Sequence, residues 1–196
     1  MHNKRIFFGI PIKLNLKMIV DMMKTTVSAP YGDLKWVYGK NLHLTLSYLG
    51  NLDDQMINKI KEKIELVDLG KAFNAEINHT GVFPDSVSPN LFWLGFGEGS
   101  DNFRIISGKI KSILEELNIP SDNRKFTPHI VIGKVQNKKE LWKINVNPYL
   151  NTVFSSAKFN VNSIHLYESE KTDQGIKYTS IVSKSLKQER LYGSKR

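Results

Sequence analysis

Two short segments, one in each half of the chain, alternate apolar and polar residues with the period of a half-buried strand. In Leu42-His43-Leu44-Thr45-Leu46-Ser47 the leucines share one face, and His43, Thr45 and Ser47 share the other. In Pro128-His129-Ile130-Val131-Ile132-Gly133, Ile130 and Ile132 share one face, and His129, Val131 and Gly133 the other. Each segment follows a turn-like lead-in, carries one histidine and runs into a glycine. A side-chain period of two commits both to sheet, with the apolar face on a core and the other face open. An all-helical chain is thereby excluded, and two rigid strands each offer an imidazole.

The flanking sequence sets the fold class. Residues 5–12 read as a strand ending at a proline. A helix is predicted over 15–28, capped by Asn15, with Leu16, Ile19, Met23 and Val27 on one face. Lys35 to Tyr38 and Leu42 to Leu49 read as a strand pair joined at Gly39-Lys40-Asn41. A second helix starts near Asp53, with Ile57, Ile60, Ile64 and Val67 as its apolar stripe. Strands are predicted over 73–83 and 91–96. A third helix follows, with Asp101 as candidate cap and Ile106, Ile110, Ile113 and Leu117 as its stripe. Residues 128–135, 153–168 and 176–183 read as strands. Helices and strands mix without strict alternation, which predicts an α+β fold. One domain is expected over 1–184, with a basic flexible tail over 185–196.

At 196 residues the chain can bury a core without staples. It has no cysteine, so disulfides, thiolate metal sites and cysteine nucleophiles are excluded. No apolar run approaches the ~18 residues of a membrane span, and Lys13 interrupts the apolar N-terminal stretch. The expected setting is cytoplasmic, without membrane contact, and the expected state a monomer. The net charge is +9, from 28 Lys+Arg against 19 Asp+Glu, which favours a polyanionic partner. Part of that excess sits in the tail, where Lys184, Lys187, Arg190, Lys195 and Arg196 face only Glu189.

Two facing imidazoles suit the opening of a cyclic phosphodiester. One ring takes a proton from the attacking water, and the other protonates the departing sugar oxygen. Histidine titrates near pH ~6.5, so a pair can hold one neutral and one protonated ring. A hydroxyl two residues on, as at Thr45, donates to a non-bridging phosphate oxygen. Single histidines on strands are commonly structural, and His2, His79 and His165 occur without such context. Phe8, Tyr48, Trp93 and Phe126 are candidates to stack on a base, against a background in which most aromatics are core.

At these residues the chain resembles the 2H phosphoesterase superfamily, named for two His-x-Thr/Ser motifs, and within it the RNA 2′,3′-cyclic phosphodiesterases, also called 2′-5′ RNA ligases. The first motif is carried by Asn41 to Gly50 and the second by Phe126 to Lys134. Arg5 to Ile10, Gly81 to Pro84, Leu91 to Gly95, Ile164 to Ser169 and Tyr178 resemble other strands of the family. The resemblance covers roughly residues 4–185. It implies two pseudo-symmetric lobes whose antiparallel sheets line a central groove, with helices outside. It implies that His43 protonates the leaving 3′ oxygen and His129 activates water, giving an RNA end with a 2′-phosphate. Run backwards, the same chemistry forms a 2′-5′ linkage. No cofactor or metal is implied, and the partners are RNA ends or nucleotides with a 2′,3′-cyclic phosphate.

Two positions depart from the family pattern. Val131 stands where the second motif has threonine, and Lys134 where it has arginine, so a hydroxyl and a bidentate fork are lost. Strict alternation also places Lys134 off the histidine face unless the strand bends. The resemblance nonetheless makes Lys134 a substrate-binding residue, beside Thr45. Alternatives are a non-catalytic module that binds nucleotides or RNA ends, and a 2H esterase for another cyclic or 2′-5′ linked nucleotide. A metal-dependent hydrolase fits least, since no ligand spacing for one is present.

Overall fold

A computed structural model describes residues 3–29, 33–122, 124–173 and 175–188. Among these, nine strands and four helices form an α+β fold. The strands are β1 (Lys4–Pro11), β2 (Leu34–Trp36), β3 (His43–Leu52), β4 (Phe73–Phe83), β5 (Leu91–Phe96), β6 (His129–Val135), β7 (Ala157–Val161), β8 (Ser163–Thr172) and β9 (Gly175–Ser185). The helices are α1 (Lys17–Thr25), α2 (Asp54–Leu66), α3 (Ser100–Glu116) and the short α4 (Asn147–Leu150). Among the described residues no helix is long and apolar enough to cross a membrane.

The sheet runs β7-β4-β5-β6-β3-β1-β8-β9, with β2 added on β6, and every pairing between these strands is antiparallel. Its two halves, β3-β1-β8-β9 and β6-β5-β4-β7, have the same number of strands in mirrored order. They join through the Leu44–Ile130 pair of β3 and β6. Both residues are fully buried, so the seam is fixed by core packing as well as by the ladder. β1 and β5 are the second strand of their halves and are buried on both faces. That explains their continuous apolar runs, Ile6 to Ile10 and Phe92 to Phe96, in place of alternation.

The core lies between the sheet and the helices. The Asp53 carboxylate accepts the Met56 N–H at 2.8 Å and starts α2, which buries Ile57, Ile60 and Ile64. α3 buries Phe103, Ile106, Ile110, Ile113 and Leu114, and Ser107 Oγ donates to the Leu46 carbonyl of β3. A Lys63–Glu116 ion pair at 2.8 Å joins the two helices.

Several local expectations are corrected. α1 starts at Lys17; Asn15 lies before its cap and its side chain accepts the Lys17 N–H at 3.1 Å. Val20 joins Met23 as a buried residue of that helix. Asp101 is not the cap of α3: Gly99, at φ 85°, holds that place, and Asp101 pairs with Arg104. β2 and β3 are not a hairpin. β2 pairs with the far end of β6, where β3 and β6 have diverged, and Gly39–Asn41 forms a turn of 3₁₀ helix. The segment 153–168 splits into β7, paired with β4, and β8, paired with β1. Past β9 the chain stays on the fold as far as Lys187. Leu186 is buried, and the Lys187 carbonyl accepts the Ala72 N–H at 2.8 Å. Residues 189–196 of the expected tail lie outside the described residues.

Candidate active site

The histidine strands β3 and β6 lie side by side at the seam, and their outward faces open into a groove of about 480 Å³. His43, Thr45, His129, Val131 and Lys134 all line it. The four expected site residues are thus brought together, and so is the valine that departs from the motif.

A bulge explains how Lys134 arrives there. Trp93 of β5 pairs with Val131 and Phe92 with Gly133, so Ile132 is an extra residue that reverses the strand's phase. His129 and Val131 face the groove before the bulge, and Lys134 after it. Gly133 fits the crossing because a Cβ there would sit 3.3 Å from both Trp36 and Phe92. β3 has the same device. Gly9 of β1 pairs with Thr45 and Phe8 with Ser47, leaving Leu46 extra. Ser47, expected on the histidine face, does not line the groove, and Tyr48 does.

Both imidazoles are held through the same kind of contact. His43 Nδ1 donates to the Asn41 carbonyl at 2.8 Å, and His129 Nδ1 donates to the Thr127 carbonyl at 2.7 Å. A carbonyl only accepts, so each contact fixes the proton on Nδ1 of the neutral ring and leaves Nε2 free as an acceptor. Burial pushes the pKa of both rings below the usual histidine value of 6.5, opposed in each case by the carbonyl contact. His43 is lowered further by the charges of Lys134 and His129.

Aromatic walls orient the rings. His43 meets the edge of Tyr178 at 4.8 Å between centroids and lies 5.0 Å from Phe7. Phe7 in turn stacks on Tyr167 at 5.1 Å. On the other side, His129 meets Phe83 edge-on at 4.9 Å and Trp93 at 6.0 Å. Burial pushes the Tyr167 hydroxyl up to about 12, so it stays neutral at physiological pH. Of the aromatic candidates, Tyr48 lines the groove, whereas Phe8 lies in the core and Phe126 packs against it. Trp93 is nearly buried and acts as a wall for His129.

Several groove residues escape the sequence reading. Phe7 is hidden in a strand that is apolar on both faces, and Tyr178 comes from a strand distant in sequence. Arg5 could have been found, two residues before Phe7 on the same face of β1. Lys35, Trp36 and Tyr38 enter through the pairing of β2 with β6, which no local pattern announces. Among the described residues no aspartate or glutamate lines the groove, while Arg5, Lys35 and Lys134 do. Nor, among those residues, is any group of three or more His, Asp or Glu side chains arranged to hold a metal.

Residues 24–173 match the 2′-5′ RNA ligase superfamily. The chain is 31% identical over 145 residues to an RNA 2′,3′-cyclic phosphodiesterase of Thermotoga maritima, covering 71% of this chain and 74% of that protein. It is 29% identical over 180 residues to the protein of that name in Methanocaldococcus jannaschii, covering 90% and 98%. Its fold is similar to that of TT0787 from Thermus thermophilus, with a TM-score of 0.74 at 23% identity, over 95% and 100% of the two chains. It is also similar to E. coli LigT in complex with 3′-AMP, with a TM-score of 0.72 at 19% identity, over 94% and 98%.

Proposed function

The chain belongs to the 2′-5′ RNA ligase superfamily, and from that premise we propose that it hydrolyses 2′,3′-cyclic phosphodiesters of RNA ends or nucleotides to 2′-phosphomonoesters. The observation that carries this reading is the matched pair of imidazoles. Each is fixed through Nδ1 by a carbonyl two residues earlier, and both open onto one groove whose described charged residues are all basic. Such a groove attracts an anion and supplies both proton transfers.

In the proposed step, water attacks phosphorus as His129 Nε2 takes its proton. The bond from phosphorus to the 3′ oxygen breaks, and His43, protonated in the complex, gives its Nε2 proton to that oxygen. The products are a 2′-phosphate and a free 3′ hydroxyl. Burial makes both rings favour the neutral form. A phosphodiester brings a negative charge beside them, which raises their pKa and supplies the protonated acid. Thr45 Oγ and the Lys134 ammonium stabilise the charge that grows on the non-bridging oxygens. The chemistry needs no metal. With the 5′ hydroxyl of another RNA in place of water, the same transfers form a 2′-5′ linkage. The two halves work as one catalytic unit over residues 1–184, in the cytoplasm and as a monomer.

Val131 supports a second reading, a module that binds RNA ends without efficient turnover, because it cannot donate where the motif does. One experiment separates the two. Hydrolysis of a 2′,3′-cyclic nucleotide is followed for the wild type, His43→Ala and His129→Ala. A loss of about 10²–10⁴-fold in each variant supports the hydrolase. Equal rates in all three sink it, and salt-sensitive binding without turnover favours the module.

A further inference from the structure

The proposed reaction uses Lys134 and leaves two other groove cations unexplained. Lys35 of β2 stands directly opposite Lys134 of β6 in their antiparallel pair. Residues opposite one another share a face, and both side chains line the groove. Like charges placed directly opposite destabilise a sheet. Among the described residues no carboxylate of the groove offsets them, and neither lysine has an ion-pair partner. Arg5, from β1, is the third cation. Its Nε donates to the Tyr48 hydroxyl, and its guanidinium lies over the Tyr48 ring at 5.1 Å. That contact holds the side chain while its other N–H donors remain. Three cations with no anion among them are a poor choice for stability alone and a good one for binding a polyanion.

The cations are also ordered. Lys134 shares β6 with His129 and, on the proposed reading, meets the reacting phosphate. Lys35 stands on the next strand, β2, and Arg5 lies six residues along β1 from Pro11, the partner of His43. One phosphate at the histidine pair engages Lys134 and leaves the outer two cations unmatched.

We propose that Lys35 and Arg5 form a second phosphate subsite, which takes the phosphate carried on the 5′ oxygen of the terminal nucleotide. Every RNA end of two or more nucleotides has that group, and a nucleoside 2′,3′-cyclic phosphate lacks it. The subsite thus adds a contact that an RNA end makes and a nucleoside 2′,3′-cyclic phosphate does not. It rests on reading the groove as a cyclic phosphodiesterase.

The test compares three substrates: a nucleoside 2′,3′-cyclic phosphate, the same molecule with a 5′-phosphate, and a dinucleotide ending in the cyclic phosphate. The wild type is expected to prefer the two that carry a 5′-linked phosphate. Lys35→Gln is expected to lower that preference in kcat/KM about tenfold, mainly through KM. Preference for both of those substrates supports the subsite, and the difference between them shows whether a free 5′-phosphate or a bridging one fits better. Lys134→Gln is expected to lower all three rates and to leave more of the preference intact. The melting temperature of Lys35→Gln is expected not to fall below that of the wild type, since the variant relieves a repulsion. The slope of log Kd against log salt for the dinucleotide product is expected to drop by about 0.7. A preference unchanged by Lys35→Gln, or absent from the wild type, overturns the subsite. If the wild type turns over none of the three, the hydrolase reading fails by itself. The same ratio, measured as Kd for the 2′-phosphate products with and without a 5′-phosphate, then decides the subsite.

Discussion

Tyr48 and Lys134 occupy equivalent places in the two halves of the sheet, each five residues past its strand's histidine and each returned to the groove by a bulge. The halves share this scaffold but present different chemistry on it, a phenol on one side and an ammonium on the other. On the proposed reading, the positive charge that meets the reacting phosphate comes from β6. Lys134→Ala is expected to lower kcat/KM by roughly tenfold to a hundredfold, as for the loss of one charge-assisted hydrogen bond. Lys134→Arg, which supplies a bidentate fork, is expected to equal or exceed the wild type. Steady-state kinetics on a nucleoside 2′,3′-cyclic phosphate measure both. Wild-type rates in Lys134→Ala would remove Lys134 from the site.

Val131 is the other departure, and the seam says where its missing hydroxyl would lie. Leu44 pairs with Ile130, so one step along that antiparallel register sets Val131 beside His43 and Thr45 beside His129. Each half thus places its third motif residue next to the other half's histidine. Val131→Thr is expected to raise kcat/KM several-fold by adding a donor next to His43. Val131→Ala, which removes volume without adding a donor, is expected to bring no gain. Equal rates in Val131→Thr and the wild type would mean that the phosphate is already satisfied at that position.

The histidine strands, the α2 stripe and the α+β class were legible because each is written in a local period. Leu42 to Ser47 alternates, and Ile57, Ile60 and Ile64 repeat at helical spacing. The bulges were not legible. One extra residue at Leu46 or Ile132 leaves no local mark, yet it moves Ser47 out of the groove and brings Tyr48 and Lys134 in. Pairings between distant segments were also hidden. The approach of β2 to β6 and of Tyr178 to His43 depends on the closed sheet, and both contribute groove residues. The matching context of the two histidine strands paired them before any resemblance was invoked, while the residues around them had to be read from the fold.

The histidines also set how stability changes with pH. Burial lowers the pKa of His43, His79, His129 and His165 below 6.5. Below about pH 6.5 the unfolded chain takes up protons that the folded chain resists, so folding weakens as the solution is acidified. Stability is expected to be level above that value and to decline as the pH falls below it. The lowered carboxylates Asp21, Asp54, Asp68 and Asp122 act in a separate, more acidic window, near and below 3.8. Thermal unfolding across this range measures the effect. His43→Gln and His129→Gln are expected to flatten the decline, and inorganic phosphate to lessen it by favouring the protonated rings. A wild type equally stable at pH 7.5 and 5.5 would contradict the assignment.

Trp93 gives a test of how the wall behind His129 controls the reaction. Its ring lies 6.0 Å from His129 and 5.1 Å from Phe83, and the Tyr149 hydroxyl donates to its carbonyl at 2.7 Å. Gly81, opposite Trp93 in the pairing of β4 with β5, leaves the space that the indole fills. A Cβ at position 81 would overlap that ring. Gly81→Ala must therefore push the indole toward His129 or move β4 away from β5. The expected cost in stability is about 1–3 kcal/mol, as for an overpacked core, or a fall in melting temperature of roughly 2–12 °C for a chain of this size. Activity is expected to fall further than the folded fraction accounts for, because His129 moves with its wall. Trp93→Phe in the Gly81→Ala background shortens the ring and is expected to restore both. If Gly81→Ala lowers the melting temperature but keeps full activity per folded molecule, the position of His129 does not depend on Trp93, and the Thr127 carbonyl and Phe83 hold it.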